Sequence, residues 1–317
     1  MQNHLNRRSV LGSVASGLAG AGLTACGGSV AAETKKPAFV LVHGSWHNAS
    51  TYTLVIQQLA QLGHFAVALD LPGHGLDARF PVSWHQRPFN AAAFATEVSP
   101  VAATTLADYS ARTIAVIDQV RALGYEKVML VGHSMGGVTI TQVGEMVPNK
   151  VQKLVYLAAF LPANGASGLA AALLPEGATN QVPPLWLADP AAIGAMRIDF
   201  DSPDSAYRAK VKQAFYADVS DDAFSAMGNM LVPDDAAGPT ATPITRTAAN
   251  WGSLERHYIK CLQDNAMPQP LAQKMVDVAD QEFPSRKTVM HTMNSSHSPF
   301  LSQPQALAQM LASISLS

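Results

Sequence analysis

The arrangement in this sequence best suited to covalent chemistry is Gly132-His133-Ser134-Met135-Gly136-Gly137, which follows the apolar run Val128–Val131 and precedes a helical run opening at Val138. In a G-x-S-x-G turn between a strand and a helix the serine is held in a strained conformation with its hydroxyl exposed. Side chains at Gly132 and Gly136 would collide with the neighbouring strand and helix. A serine hydroxyl is nearly inert at neutral pH, so it needs an imidazole to remove its proton and a carboxylate to fix the imidazole's tautomer. On such a scaffold the chain order is serine, acid, histidine. That order sets aside His43, His47, His74 and His133 and leaves His257, His291 and His297. The first two lie in strand-like runs, whereas His297 sits in the polar stretch Asn294–Pro299 beyond the last of them, so His297 is the expected base. For the acid, Asp264 opens a loop at a strand end, while Asp277, Asp280 and Glu282 belong to a helical stretch whose charges read as a solvated face.

Acyl transfer also needs two fixed donors for the oxyanion. The turn offers the Met135 N–H, and His43-Gly44-Ser45-Trp46, after the first apolar run, offers the Ser45 N–H. His43 reads as support for that loop. The spacing of His43 and His47 matches the histidines of H-E-x-x-H, but Gly44 replaces the glutamate and the segment is loop-like, so no metal is expected, and the chemistry needs no cofactor.

These residues must be positioned by alternating strands and helices. Phe39–Val42, Phe65–Leu69, Val128–Val131, Val151–Leu157, Arg256–Leu262 and Lys287–Met293 read as buried strands. Tyr52–Leu62, stopped by Gly63, and Thr105–Leu123, stopped by Gly124, carry apolar residues at helical spacing. The expected fold class is α/β, a mostly parallel central sheet flanked by helices on both faces. From Leu161 to about Asn250 the rhythm breaks into Pro-, Ala- and Asp-rich stretches with helical pieces at Ser205–Tyr216 and Asp222–Leu231, which predicts a cap over the strand ends. Core is therefore assigned to 36–160 and 251–317, and cap insertion to 161–250. Leu173, Leu174, Leu185, Trp186, Met196, Phe215, Phe224, Met227 and Met230 are its candidate pocket residues, and Ala78–Ala103 is a second segment expected at the entrance.

With 317 residues, 48% hydrophobic and 14% charged, the chain can bury a large core, and a net charge of −2 makes nucleic acid a poor partner. Residues 1–35 read as an export signal and tether: Arg7-Arg8 precede an uncharged stretch, in a twin-arginine-like pattern, and Leu23-Thr24-Ala25-Cys26 resembles a lipoprotein cleavage box with Cys26 lipidated. The expected location is the periplasm or cell envelope of a bacterium, with membrane contact only through the lipid. Cys261, in an apolar run, reads as a buried hydrophobe.

Across 36–317 these residues resemble a branch of the α/β-hydrolases that holds plant hydroxynitrile lyases and methyl esterases with related bacterial esterases. The resemblance rests on Phe39–Gly44, Gly63-His64, Ala68–Leu71, Gly132–Gly137, Tyr258–Asp264 and His297–Pro304. It implies the triad Ser134, Asp264 and His297, with Ser45 and Met135 as oxyanion hole. Lyases of the branch carry a threonine where Gly44 stands and a lysine after the histidine, where this chain has Ser298. A lyase needs that cation for departing cyanide and a hydrolase needs an unobstructed oxyanion hole, so the resemblance implies a serine carboxylesterase, while the apolar residues of the cap, not the resemblance, suggest a pocket for small or medium esters. Hydroxynitrile cleavage is the alternative, and a surface-tethered binding lipoprotein with negligible turnover is a third reading.

Overall fold

The computed structural model describes residues 35–317, which form one compact unit. The expected export signal and Cys26 lie outside the described residues.

Six strands form the central sheet: β1 (Ala38–Val42), β2 (Ala66–Leu69), β3 (Val128–His133), β4 (Val151–Leu157), β7 (Glu255–Cys261) and β8 (Val289–Met293). Their order is β2-β1-β3-β4-β7-β8 and every pairing is parallel. The strands begin and end within about two residues of the apolar runs that predict them.

Alternation along each strand divides the core between two faces. Phe39, Leu41, Met129, Val131, Val155 and Ile259 pack on one side with Leu59, Leu307 and Leu311 from the helices Thr53–Gln61 and Pro304–Leu316. Val40, Val42, Leu130, Leu154, Tyr156 and Tyr258 pack on the other with Ile117, Ile140 and Met275 from Leu106–Ala122, Gly136–Met146 and Gln269–Glu282. Both faces of β1 and β3 are covered, which is why these strands read as unbroken apolar runs.

From β1 the chain moves outward to β2, then returns past β1 to β3, so the direction of winding reverses between β1 and β3. The loops leaving the carboxyl ends of those two strands diverge around a crevice, the usual ligand site of an open parallel sheet. They begin at His43 and Ser134.

Between β4 and β7 lies a long excursion holding the helices Ser205–Phe215 and Asp221–Gly228 and a two-stranded antiparallel sheet, β5 (Ala195–Arg197) with β6 (Asp234–Ala236). The helices match the helical pieces read from sequence. The small sheet has no counterpart there, because each strand is three residues long.

Candidate active site

Ser134 occupies the turn between β3 and the helix Gly136–Met146 with φ of +50°, a left-handed conformation that costs a non-glycine residue free energy. Three backbone hydrogen bonds hold it there: its N–H donates to Leu157 O at 3.2 Å, and its C=O accepts from Gly137 and Phe160 at 3.0 and 2.9 Å. Gly136 is dictated by close approach, since a Cβ there would stand 2.7 Å from His43 O and 2.8 Å from Val42 O.

His297 follows β8 in the chain, and Asp264 follows β7. His297 Nδ1 lies 2.7 Å from Asp264 Oδ2, with both side chains 1% exposed. The other oxygen, Asp264 Oδ1, accepts from the Ala266 and Met267 N–H groups at 2.8 and 2.7 Å, so the carboxylate is oriented by its own loop. His297 Nε2 is buried and makes no hydrogen bond among the described residues. The imidazole is joined to the serine turn through its backbone: His133 Nε2–H donates to His297 O at 2.9 Å, and the two rings lie 4.5 Å apart. The structure thus brings Asp264 and His297 together directly. It brings His297 to the residue beside Ser134, with the serine–imidazole hydrogen bond left open, as catalytic hydrogen bonds commonly are before substrate binds.

Ser45, Ser134 and Met135 line one cavity of about 140 Å³. Among the described residues the N–H groups of Ser45 and Met135 donate to no backbone or side-chain acceptor. The 44–45 peptide lies against the serine: a Cβ on Gly44 would come within 2.7 Å of Ser134 Cβ and 3.0 Å of His133 Nδ1. A threonine there would displace Ser134 or the loop. His43 Nδ1 donates to Gly44 O at 2.8 Å, while its Nε2 accepts from Leu71 N–H at 3.1 Å, which fixes one neutral tautomer. Burial, reinforced by His74 nearby, holds the His43 pKa well below the usual range. Burial likewise lowers His47 to about 4 and His133 well below its ordinary value. The neutral His133 imidazole therefore stands against the His297 ring, and His43, His47 and His133 each keep one nitrogen as an acceptor.

The cavity wall is apolar, with Trp46, Phe160, Leu173, Trp186, Met196 and Phe215 as its larger members. Four of these come from the nine residues expected of the excursion. Leu185, Phe224 and Met227 are instead buried in the core, Leu174 packs against it, and Met230 is exposed. Sequence reasoning missed Trp46 and Phe160, which lie next to chemistry-bearing loops and carried the only available signal in that adjacency. One expectation is corrected: no residue of 78–103 lines this cavity. That segment docks elsewhere, Val101 packing with Ile193, Ala195 and Ala236 and the Phe94 and Glu97 carbonyls accepting from buried Arg197. Cys261 is buried and its thiol pKa pushed up, so it stays an unreactive hydrophobe. Among the described residues no group of three or more His, Cys, Asp or Glu side chains is placed to hold a metal ion.

Comparison with known proteins agrees with this architecture. "Putative methylesterase 11, chloroplastic" of Arabidopsis thaliana is 28% identical over 281 residues, covering 87% of this chain and 63% of the relative. "Methylesterase 7" of the same plant is 27% identical over 278 residues, covering 87% and 95%. The chain spans 56–63% of the length of the first three curated relatives it matches. Among solved structures, a pyrethroid hydrolase from Sphingobium faniae JZ-2 superposes with a TM-score of 0.69 at 21% identity, covering 89% of this chain and 98% of that one. Polyneuridine aldehyde esterase gives 0.62 at 20% identity, covering 88% and 99%. The sequence profile of the alpha/beta hydrolase family matches residues 39–310, and with the parallel sheet and the strained serine turn at its winding reversal this chain belongs to that family.

Proposed function

We propose that this protein is a serine carboxylesterase that hydrolyses small to medium esters through an acyl-enzyme. Ser134 attacks the ester carbonyl, and His297, oriented by Asp264, takes the serine proton and returns it to the departing alcohol. Water then enters, gives a proton to His297 and releases the acid. The oxyanion of each tetrahedral intermediate is met by the N–H groups of Ser45 and Met135. The observation that carries the reading is that Ser45, Ser134 and Met135 line one apolar cavity, the two amides having no acceptor among the described residues, with the buried Asp264–His297 pair on the neighbouring loops. Its volume of about 140 Å³ suits a short acyl or alcohol group rather than a long chain. Segment 161–250 acts as the cap shaping that cavity. Hydrolysis is favoured over hydroxynitrile cleavage because Gly44 leaves the oxyanion side open and Ser298 supplies no cation.

The test is a p-nitrophenyl ester series from acetate to palmitate on the full-length protein, with fluorophosphonate labelling. Turnover highest for the short esters and stoichiometric labelling at Ser134 are expected. Rates climbing toward palmitate would overturn the substrate range, and an unlabelled, inactive protein would favour a binding role.

The export reading is proposed on sequence alone: a bacterial envelope lipoprotein anchored through Cys26. Incorporation of an alkyne fatty acid in bacteria, lost in Cys26→Ser, supports it; equal incorporation in both proteins rejects it.

A further inference from the structure

Ser45 owes its orientation to groups on both sides of it. The Gly44 C=O and the Ser45 N–H belong to one trans peptide and point in opposite directions, so whatever holds that carbonyl aims the amide. Two donors hold it: His43 Nδ1–H at 2.8 Å and His47 N–H at 3.3 Å. The following peptide is fixed in turn, because Ser45 O accepts from His47 Nδ1–H at 2.6 Å. Since His47 donates through Nδ1, its Nε2 must accept, and it does so from the Tyr216 hydroxyl at 2.5 Å. Tyr216 lies in the excursion, directly after the helix Ser205–Phe215. Both side chains are fully buried and Tyr216 lines no part of the cavity at Ser134.

The same loop carries a second sign of outside support. Trp46 has φ of +62°, a conformation that persists for a large side chain only where the surroundings impose it. Those surroundings are again the excursion: Trp46 O accepts from Val232 N–H at 3.2 Å, Trp46 Nε1–H donates to Met196 O at 2.9 Å, and Asn48 Nδ2 donates to Met230 O at 2.7 Å. The turn around Tyr216 touches the other two catalytic loops as well. Asn265 Nδ2, next to Asp264, donates to Gln213 O at 2.9 Å, and the Ser296 N–H and hydroxyl, next to His297, donate to the Asp218 carboxylate.

We propose that Tyr216 is a positioning residue for catalysis: acting through His47 and the Ser45 carbonyl, it locks the oxyanion-binding amide of Ser45 in place, so that the excursion completes the oxyanion hole as well as covering it. This inference rests on the esterase reading, in which that amide receives the oxyanion. A donor held in position before reaction costs no reorganisation in the transition state, whereas a loosened one does. Loss of the hydroxyl should therefore weaken transition-state binding and leave ground-state binding alone.

The experiment compares Tyr216→Phe with Tyr207→Phe in the full chain. Tyr207 sits on the same helix and its hydroxyl donates to Leu185 O at 2.7 Å, away from the Ser45 loop, so its loss controls for a missing hydrogen bond in the excursion. Four quantities are measured: kcat and KM for p-nitrophenyl acetate, and the inhibition constants of a trifluoromethyl ketone, which adds to a serine as an oxyanion, and of its methyl ketone counterpart, which binds without adding. Tyr216→Phe is expected to lower kcat by about 10-fold or more, below the ~100-fold or greater loss for deleting an oxyanion donor outright. The trifluoromethyl ketone should weaken by the same factor, with KM and the methyl ketone within about twofold. Tyr207→Phe should leave kcat and the ratio of the two ketones unchanged. If Tyr216→Phe fails to fold, Trp46→Phe, which removes the bond to Met196 O, should lower the same ketone ratio. A Tyr216→Phe protein with reduced Tm but wild-type kcat and ketone ratio overturns the inference while the esterase reading stands. A wild type that neither turns over esters nor binds the trifluoromethyl ketone overturns both.

Discussion

In the sheet, β1 and residues 128–131 of β3 bury every side chain in the apolar core, whereas the 161–250 excursion, both internally and where it meets the rest of the molecule, gives comparable burial to polar groups. Arg197 of β5 pairs with Asp234 of β6 through two 2.6 Å hydrogen bonds with both side chains fully buried, and its guanidinium also reaches the Phe94 and Glu97 carbonyls. Asp235 lies 3.0 Å from His74 Nε2 and accepts from Tyr109 OH at 3.3 Å. The difference separates two kinds of dependence. Burial is non-directional and forgives a change of shape at constant volume. A desolvated polar contact is directional, and removing one partner leaves the other buried and unpaired.

The sheet's contribution to chemistry gives the largest expected effect. Ser134→Ala should lower kcat by roughly 10⁶ with Tm nearly unchanged, because it leaves the apolar core intact, and Asp264→Asn should lower kcat by roughly 10⁴. Steady-state kinetics beside thermal melts decide it, and an equal loss of Tm would mean that the site cannot be separated from the fold. Next comes the ion pair of the excursion: Asp234→Asn should cost roughly 3–5 kcal/mol in urea unfolding, because Arg197 stays buried without its partner. Faster amide exchange should be confined to the region of residues 195–236, and exchange that spreads through β3 and β4 would erase the contrast drawn above.

Acid should act through the buried imidazoles. His43, His47 and His133 are held neutral by burial, with folded pKa values below the unfolded value near 6.5. Below pH 6.5 the unfolded chain binds protons that the folded chain refuses. The stability these groups contribute is therefore complete above 6.5 and lost as the pH falls toward the folded values, about 4 for His47. Each adds a slope of about 1.4 kcal/mol per pH unit within its window. Urea midpoints at pH 7.5, 6.5, 5.5 and 4.5 should be flat over the first step and then fall steeply; a flat profile to 4.5 would show that these imidazoles carry protons when folded. The smallest effect belongs to the sheet: Leu130→Met, fully buried in β3, should cost under about 1.5 kcal/mol with kcat unchanged.

The six core strands, the long helices at 53–61 and 106–122 and the serine turn were legible in the chain because each depends on local pattern: apolar runs, helical spacing ended by glycine, and small residues around a strained serine. Asp264 and His297 could be singled out because their places after β7 and β8 follow from strand order. What remained illegible was set by contacts between residues far apart. Tyr216 reaches His47 across 169 positions and Ser296 reaches Asp218 across 78, and nothing in the composition around either residue marks it. Which apolar residues of the excursion face the cavity and which enter the core was likewise decided by the tertiary fold, as was the docking of 78–103 on the small sheet rather than beside Ser134. Local sequence determines which conformations and chemical groups are available, since those preferences act over a few residues. Convergence of groups on one site requires the packed chain, because only folding brings distant polar partners close enough to exchange water for each other.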